Sequence, residues 1–238
     1  MLESVDSAVS NTAVRKDVWV RLPPAAPDTR EAWPRCRATP PYPLECVDEI
    51  GLGASYVYLL GLYLGDGMLS MQRNGVWRLR IFQDARYEAL VSECGRAMRA
   101  VVANGVTHIR RAGCLELVSY WKHWVCVFPQ HGSGVKHQRS IVLRDWRREL
   151  VERFPRDLVR GLIHSDGCRV TNFTVSSAGK RYEYPRYHFS NRSDDIRELF
   201  VSTCHLIGVD WRPNNRWNIS VARRASVAIL DEFIGPKR

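Results

Sequence analysis

The chain has 238 residues, of which 45% are hydrophobic, and this composition argues against wholesale disorder. The formal net charge is +10 and the isoelectric point is near 9.5, with arginine supplying most of the positive charge. No apolar run reaches the roughly 18–20 residues of a membrane-spanning helix, so we expect a cytoplasmic protein with no membrane partner. Seven scattered cysteines without a CxxC pair argue against a zinc ribbon. Because the planar fork of arginine suits phosphates and guanine edges, nucleic acid is a candidate partner.

Residues 1–50 form the first predicted segment and differ from the rest of the chain. Seven of the twelve prolines fall between Pro23 and Pro43. Proline at this density blocks helices and sheet ladders, so we predict a proline-rich arm or linker. A short helix over residues 3–18 is a further candidate element.

Hydrophobic periodicity predicts the elements of the second segment, residues 51–150. An apolar helix over Tyr56–Leu64 is expected to end at a Gly-Asp-Gly turn. The alternating sequence WRLRIFQ at Trp77–Gln83 predicts a half-buried strand with its arginines on the exposed face. The remaining predictions are a helix over Asp84–Val102 with Asp84 as its N-cap, a strand over Leu115–Val118 and a short helix over Trp121–Phe128.

The third segment, residues 151–238, has the same order of elements. Each half therefore reads helix, two strands, helix, two strands, helix. The predicted elements of this half are a helix ending at Ser165, strands near Arg169–Val175 and Arg181–Phe189, a helix over Asp194–Ile207, a strand over Trp217–Val221 and a helix over Ala225–Phe233.

An internal repeat relates the two halves. The segment LLGLYLGDG at Leu59–Gly67 matches VRGLIHSDG at Val159–Gly167, with an offset of 100 residues. The segment EALVSEC at Glu88–Cys94 matches ELFVSTC at Glu198–Cys204. A third match relates Gly134-Val135-Lys136 to Gly235-Pro236-Lys237. Three matched blocks in the same order predict a duplicated fold.

The two nine-residue blocks resemble the two LAGLIDADG motifs of single-chain homing endonucleases, and the resemblance covers residues 55–238. It implies an α/β (α+β) fold of two pseudo-symmetric αββαββα LAGLIDADG repeats, residues 51–150 and 151–238, that form a saddle on double-stranded DNA. Small residues in both motifs would let the two motif helices pack backbone to backbone. That packing would bring Asp66 and Asp166 together at the helix ends. The small residues are Gly61, Gly65, Gly161 and Ser165.

The resemblance also implies a metal site built on Asp66 and Asp166, with Gly65 and Ser165 beside them. Two neighbouring carboxylates at helix C-termini are unfavourable alone and favourable with a divalent cation, here Mg²⁺ or Mn²⁺. The family completes each active site with a basic and a polar residue. The corresponding catalytic candidates are Lys136 and Lys237, which follow the last helix of each repeat, and Gln83 and Asn191, which end the second strand of each repeat. Ser190, next to Asn191, is the alternative polar residue in the second half. His164, at the first acidic position of the second motif, is a candidate neighbour of the scissile phosphate.

The implied function is sequence-specific, metal-dependent hydrolysis of both strands of duplex DNA by a monomer of the homing endonuclease type. Two alternatives on the same fold stay open: a DNA-binding transcriptional regulator that has lost catalysis, and an RNA maturase. The acidic pair favours the enzyme, because a pure DNA-binding protein does not need it. Candidate DNA contacts on exposed strand faces are Arg78, Arg80, Arg110, Arg169, Arg212, Arg216 and Asn218.

Overall fold

A computed structural model of the chain describes residues 51–128, 131, 134–235 and 237. The predicted proline-rich arm, including the candidate helix over residues 3–18, lies outside the described residues. Within the part that is described, no helix combines the length and the apolar character needed to cross a membrane.

The first half has the predicted αββαββα order. Its first helix contains both the apolar run and the Gly-Asp pair, and it leads directly into the first strand. The elements are α1 (Ala54–Asp66), β1 (Gly67–Met71), β2 (Trp77–Asp84), α2 (Glu88–Val101), β3 (Thr107–Arg110), β4 (Cys114–Trp121) and α3 (Trp124–Val127).

A helix that the sequence patterns did not predict, α4 (Asp145–Arg153), links the halves and crosses the expected border at residue 150. The second half then repeats the order of the first. Its elements are α5 (Pro155–Asp166), β5 (Gly167–Val175), β6 (Arg181–Ser190), α6 (Asp194–Leu206), β7 (Arg212–Pro213), β8 (Asn218–Val221) and α7 (Arg224–Asp231).

Each half contains one four-stranded antiparallel sheet. The strand orders are β1-β2-β4-β3 and β5-β6-β8-β7, so the two sheets have the same topology. The register is also equivalent, because Gly67 pairs with Ile81 in the first sheet and Gly167 pairs with Phe189 in the second. The predicted pseudo-symmetric duplication is therefore confirmed at the level of individual strand pairs.

The motif helices α1 and α5 lie at the centre of one hydrophobic core that the two halves share. Every residue of α1 from Tyr56 to Leu64 is buried, because the helix packs against α5, α2 and the inner face of its sheet. The strands bury one face only. In β2, Leu79 and Ile81 are fully buried while Arg78 and Arg80 point away from the helices, as the alternation predicts.

Two predicted boundaries are wrong for the same physical reason. Asp84 is not the N-cap of α2, because it pairs with Cys114 at the end of β2, and the helix begins four residues later at Glu88. Its carboxylate instead accepts hydrogen bonds from Arg86. Likewise α1 does not end in a turn, because Gly67 adopts an extended conformation and joins the sheet immediately. In both places pairing with a distant strand overrides the local signal.

Candidate metal and nucleic-acid site

The two motif helices approach so closely that only the smallest residues fit between them. A Cβ atom placed on Gly61 would lie 2.8 Å from the Cα of Gly161, which is well inside normal contact distance. A Cβ on Gly65 would lie 2.2 Å from the Oγ of Ser165. The Ser165 hydroxyl donates to the carbonyl of Gly161 in its own helix. The predicted backbone-to-backbone packing of α1 and α5 is therefore present, and glycine or serine is required where the helices meet.

This packing brings the last residues of the helices, Asp66 and Asp166, into one partly buried cluster. Burial raises the pKa of Asp66 from 3.8 to about 6, and the negative charge of Asp166 adds to the effect. Burial also raises the pKa of Asp166, but a hydrogen bond of 2.6 Å from Asn191 Nδ2 to its carboxylate opposes this rise. Both residues end their helices, where exposed carbonyls make a negative charge unfavourable. Asp66 is therefore the carboxylate that ionises less readily.

Two lysines neutralise the helix ends in equivalent ways. The Nζ atom of Lys136 donates to the carbonyl of Gly65 at 3.0 Å and also to the carbonyls of Tyr63 and Gly67. The Nζ atom of Lys237 donates to the carbonyl of Ser165, the counterpart of Gly65, at 3.3 Å. Burial lowers the pKa of Lys136 to about 8 and also lowers that of Lys237, while the two aspartates act in the opposite direction. The structure thus places both predicted lysines at the acidic cluster.

Strand register supports the choice of Gln83 and Asn191 as equivalent residues. Each lies two positions beyond the residue that pairs with the motif glycine, namely Ile81 in β2 and Phe189 in β6. Their contacts differ, however. Asn191 donates to Asp166, whereas the buried Nε2 of Gln83 has no hydrogen-bond partner among the described residues. The amide of Gln83 is therefore a buried donor that remains available for a ligand or a water molecule.

His164 does not lie where a phosphate could contact it. Its Nδ1 is 3.0 Å from the hydroxyl of Tyr58 and its Nε2 is 2.8 Å from the carbonyl of Ile234. Both ring nitrogens therefore have partners. Burial lowers the pKa of His164 to about 4, although the hydrogen bond with Ile234 acts in the opposite direction. A neutral imidazole here joins α1, α5 and the segment that leads to Lys237, so its role is structural.

The predicted DNA-contacting residues divide between the two faces of the sheets. Residues paired directly across antiparallel strands share a face, which assigns each side chain to the helix side or to the outward side. Those on the outward face are Arg78, Arg80, Arg212 and Asn218, with Arg216 exposed in the turn between β7 and β8.

The expected outward orientation is wrong for Arg110 and Arg169. Arg110 pairs with Leu115 and therefore shares its face of the sheet. Leu117, two residues further along β4, is on the same face and is fully buried, so this is the helix side. Arg169 pairs with buried Tyr187 and forms a 2.7 Å ion pair with Asp231 at the end of α7. Alternation within a strand cannot settle which face is inward when the strand is short or weakly amphipathic.

Sequence reasoning missed an acidic residue on the outward face of the first sheet. Glu116 in β4 is only 1% exposed and accepts from Arg78 at 2.6 Å and from Arg111 at 2.8 Å. The alternation of Leu115, Glu116 and Leu117 was the available signal, because it directs Glu116 to the same side as the arginines of β2.

The donor set at the acidic cluster fits a hard divalent cation. In the described ranges, no three His, Cys, Asp or Glu side chains come together as a complete metal site. The cluster offers two carboxylates and the nearby carbonyls of Gly65 and Ser165, which are all oxygen donors. Mg²⁺ commonly takes one or two carboxylates and completes its shell with substrate phosphates and water. Asp66 and Asp166 therefore suit a cation that is bound jointly with nucleic acid.

Comparison with known proteins identifies the fold. No protein-family model matches the chain, and no curated protein matches it in sequence. A solved structure described as mesophilic variants of the homing endonuclease I-DmoI has a TM-score of 0.51 at 14% identity, covering 77% of this chain and 97% of that one. The N-terminal LAGLIDADG domain of DUF199/WhiA has a TM-score of 0.48 at 12% identity, covering 82% and 90%. The chain has the LAGLIDADG homing endonuclease fold.

Proposed function

We propose that the protein is a metal-dependent endonuclease that binds double-stranded DNA and hydrolyses both strands. The observation that carries the proposal is the cluster at the meeting helix ends, where Asp66 and Asp166 lie beside Lys136 and Lys237. The LAGLIDADG fold and the net charge of +10 support DNA as the substrate. A regulator that only binds DNA has no evident use for two carboxylates whose pKa values are raised by burial and proximity.

The residues of the cluster divide the chemical work. The two aspartates would hold Mg²⁺ or Mn²⁺, which polarises the scissile phosphates when it is bound. The ammonium groups of Lys136 and Lys237 lie at the same helix ends and would stabilise negative charge that develops on phosphate oxygens. Gln83, with a buried amide donor that has no partner among the described residues, would orient the attacking water or a phosphate oxygen.

The decisive experiment offers the protein a randomised duplex library with Mg²⁺ or Mn²⁺ and sequences the cut ends. We expect paired cuts at one recurring sequence, and Asp66→Asn or Asp166→Asn should abolish double-strand cleavage while DNA binding survives. Loss of one carboxylate could leave nicking of a single strand. Asp231→Asn is the matched control, because it makes the same change at an ion pair on α7, and it should cleave normally.

The outcomes separate the candidate functions. A protein that selects one duplex sequence but leaves both strands whole with either metal would be a regulator. A protein that prefers structured RNA over duplex DNA would favour the maturase. Truncation of residues 1–50 should preserve most DNA binding if the sheets form the binding surface.

A further inference from the structure

A single buried carboxylate organises three arginines on the outward face of the first sheet. Glu116 accepts from Nη2 of Arg78 at 2.6 Å through one oxygen and from Nε and Nη2 of Arg111 at 2.8 and 2.7 Å through the other. The Nε of Arg80 lies 3.9 Å from the same carboxylate. Three positive groups against one negative group leave this arginine cluster with a net charge of +2. We name the four residues the Glu116 cluster.

The carboxylate of Glu116 holds the arginines in place but accepts hydrogen bonds from only some of their N–H groups. A guanidinium has five N–H donors, and the carboxylate uses only part of this set on Arg78. The Nε atoms of Arg78 and Arg80 are buried and have no hydrogen-bond partner among the described residues, and the Nη2 atom of Arg80 contacts the Sδ of Met68 at 2.7 Å, which restrains Arg80 further. The side chains of Arg78 and Arg80 are 20% and 19% exposed, so little rotational freedom is left to lose when a ligand binds.

The second sheet is chemically different at the equivalent positions. Aligning the two registers on the motif glycines places Arg186 at the position of Arg78 and His188 at the position of Arg80. The same alignment places Asn218 where Glu116 stands. The outward positions of β5, β6, β7 and β8, all within the described residues, carry no carboxylate. The duplicated backbone therefore presents one arginine-rich face held by an acid and a second basic face, with Arg186 and Arg212, that has no carboxylate at its outward positions.

We propose that the Glu116 cluster makes the first half of the protein selective for guanine in the major groove, with Glu116 as the specificity-determining residue. This inference rests on the proposed binding of duplex DNA. Arginine forms two hydrogen bonds with O6 and N7 of guanine, and this contact needs a guanidinium held in a defined orientation. A mobile arginine would instead bind any phosphate, which carries no sequence information. The Glu116 carboxylate also occupies donors of Arg78 and Arg111 that would otherwise be available to a phosphate.

The inference predicts an asymmetric target. Two guanines are expected in the half-site that the first sheet contacts, one for each of Arg78 and Arg80. The second sheet offers histidine and asparagine at two of the corresponding positions, and asparagine pairs with adenine. The outward arginines of the second sheet, Arg186 and Arg212, have no carboxylate on their face to orient them. Guanine selection by oriented arginines should therefore be confined to one half-site, although the protein backbone is nearly symmetric.

The test is a binding selection from a randomised duplex library without divalent metal, so that no strand is cut. Wild-type protein should enrich guanine at two positions of one half-site. In Glu116→Gln, which keeps the shape of the side chain, the preference for guanine there should fall about fivefold or more. Its affinity for unselected duplex should rise, and the slope of log K against log salt should steepen by about 0.9 for each arginine that moves to a phosphate.

Two further variants separate recognition from folding. Arg78→Lys keeps the charge but loses the planar fork, so it should lose guanine preference at one position while its affinity for unselected duplex stays the same. Asp231→Asn removes one negative charge beside an arginine on the helix side and should retain the full preference. Melting curves of every variant confirm that the compared proteins are folded.

The outcomes also distinguish this inference from the proposed function. If Glu116→Gln melts at a lower temperature but selects the same bases, the Glu116 cluster is only structural and the inference is wrong. Unchanged selection by Arg78→Lys would refute it as well. Wild-type protein that does not bind duplex DNA at all would refute the proposed function and this inference together.

Discussion

Replacing Asp66 with asparagine should make the metal-free protein more stable at neutral pH. Burial and the charge of Asp166 raise the pKa of Asp66 from 3.8 to about 6, so the folded protein resists ionisation of this group. Each pKa unit corresponds to about 1.4 kcal/mol, which sets an upper limit of about 3 kcal/mol. Partial exposure of the carboxylate to water reduces the expected gain in unfolding free energy to about 1–3 kcal/mol.

The effect has a definite dependence on pH. Between about pH 4 and pH 6 the folded state binds more protons at Asp66 than the unfolded state does, so wild-type stability falls as the pH rises through this window. Asp66→Asn lacks this contribution. The two proteins should therefore be equally stable near pH 4 and differ fully above pH 6.

Thermal melting of both proteins between pH 4 and pH 8, with a chelator present, tests this reasoning. A gain of about 1–3 kcal/mol corresponds to a melting temperature higher by about 2–12 °C in a protein of this size. Asp84→Asn is the control, because a hydrogen bond from Arg86 lowers the pKa of Asp84 to about 2 and its loss should give no such gain. An Asp66→Asn protein that melts at or below the wild-type temperature at pH 7.5 would refute the claim that the acidic pair is strained.

Two other predictions address the helix pair and the cation. Gly61→Ala should reduce the unfolding free energy by about 1–3 kcal/mol, because its Cβ would lie 2.8 Å from the backbone of Gly161. Gly105→Ala, where nothing lies within 4 Å of the new atom, is the matched control, and equal melting of both variants would contradict the close packing of α1 and α5. Ca²⁺ should raise the melting temperature of the DNA complex more than that of the free protein, and an equal rise in both, measured by differential scanning fluorimetry, would show that the cation site does not depend on phosphate.

The fold was largely predictable because its signals are periodic and repeated. The apolar helix before Asp66 and the alternating strand from Trp77 to Gln83 each bury one consistent set of residues, so local sequence and tertiary packing agree. The resemblance to the LAGLIDADG family pointed to Lys136 and Lys237, and the match between Gly-Val-Lys and Gly-Pro-Lys supported the choice, although neither lysine lies near the motifs in sequence. The helix and the strand needed only the order of residues along the chain, whereas the lysines also needed the family resemblance.

The errors arose where a distant partner decides the outcome. Asp84 has the composition of a helix cap but pairs with Cys114, which no local pattern encodes. Arg169 alternates like a groove-facing residue, yet its pairing with Tyr187 directs it toward Asp231 on α7. The buried state of Glu116 depends on arginines from two other parts of the chain. Such features follow from register and packing, which require the three-dimensional structure.

The charges at the helix ends explain why the cation and the nucleic acid should bind together. Asp66 and Asp166 contribute two negative charges when ionised, and Lys136 and Lys237 contribute two positive charges, so the cluster is close to neutral without a ligand. A divalent cation alone would leave an excess of positive charge in a partly buried site, which is costly. In the proposed complex, phosphate groups of the duplex would supply the missing negative charge and further oxygen ligands. In the proposed site, the lysines would balance the charge of the acidic pair in the free protein, and the cation would complete its ligand shell only with bound phosphate groups.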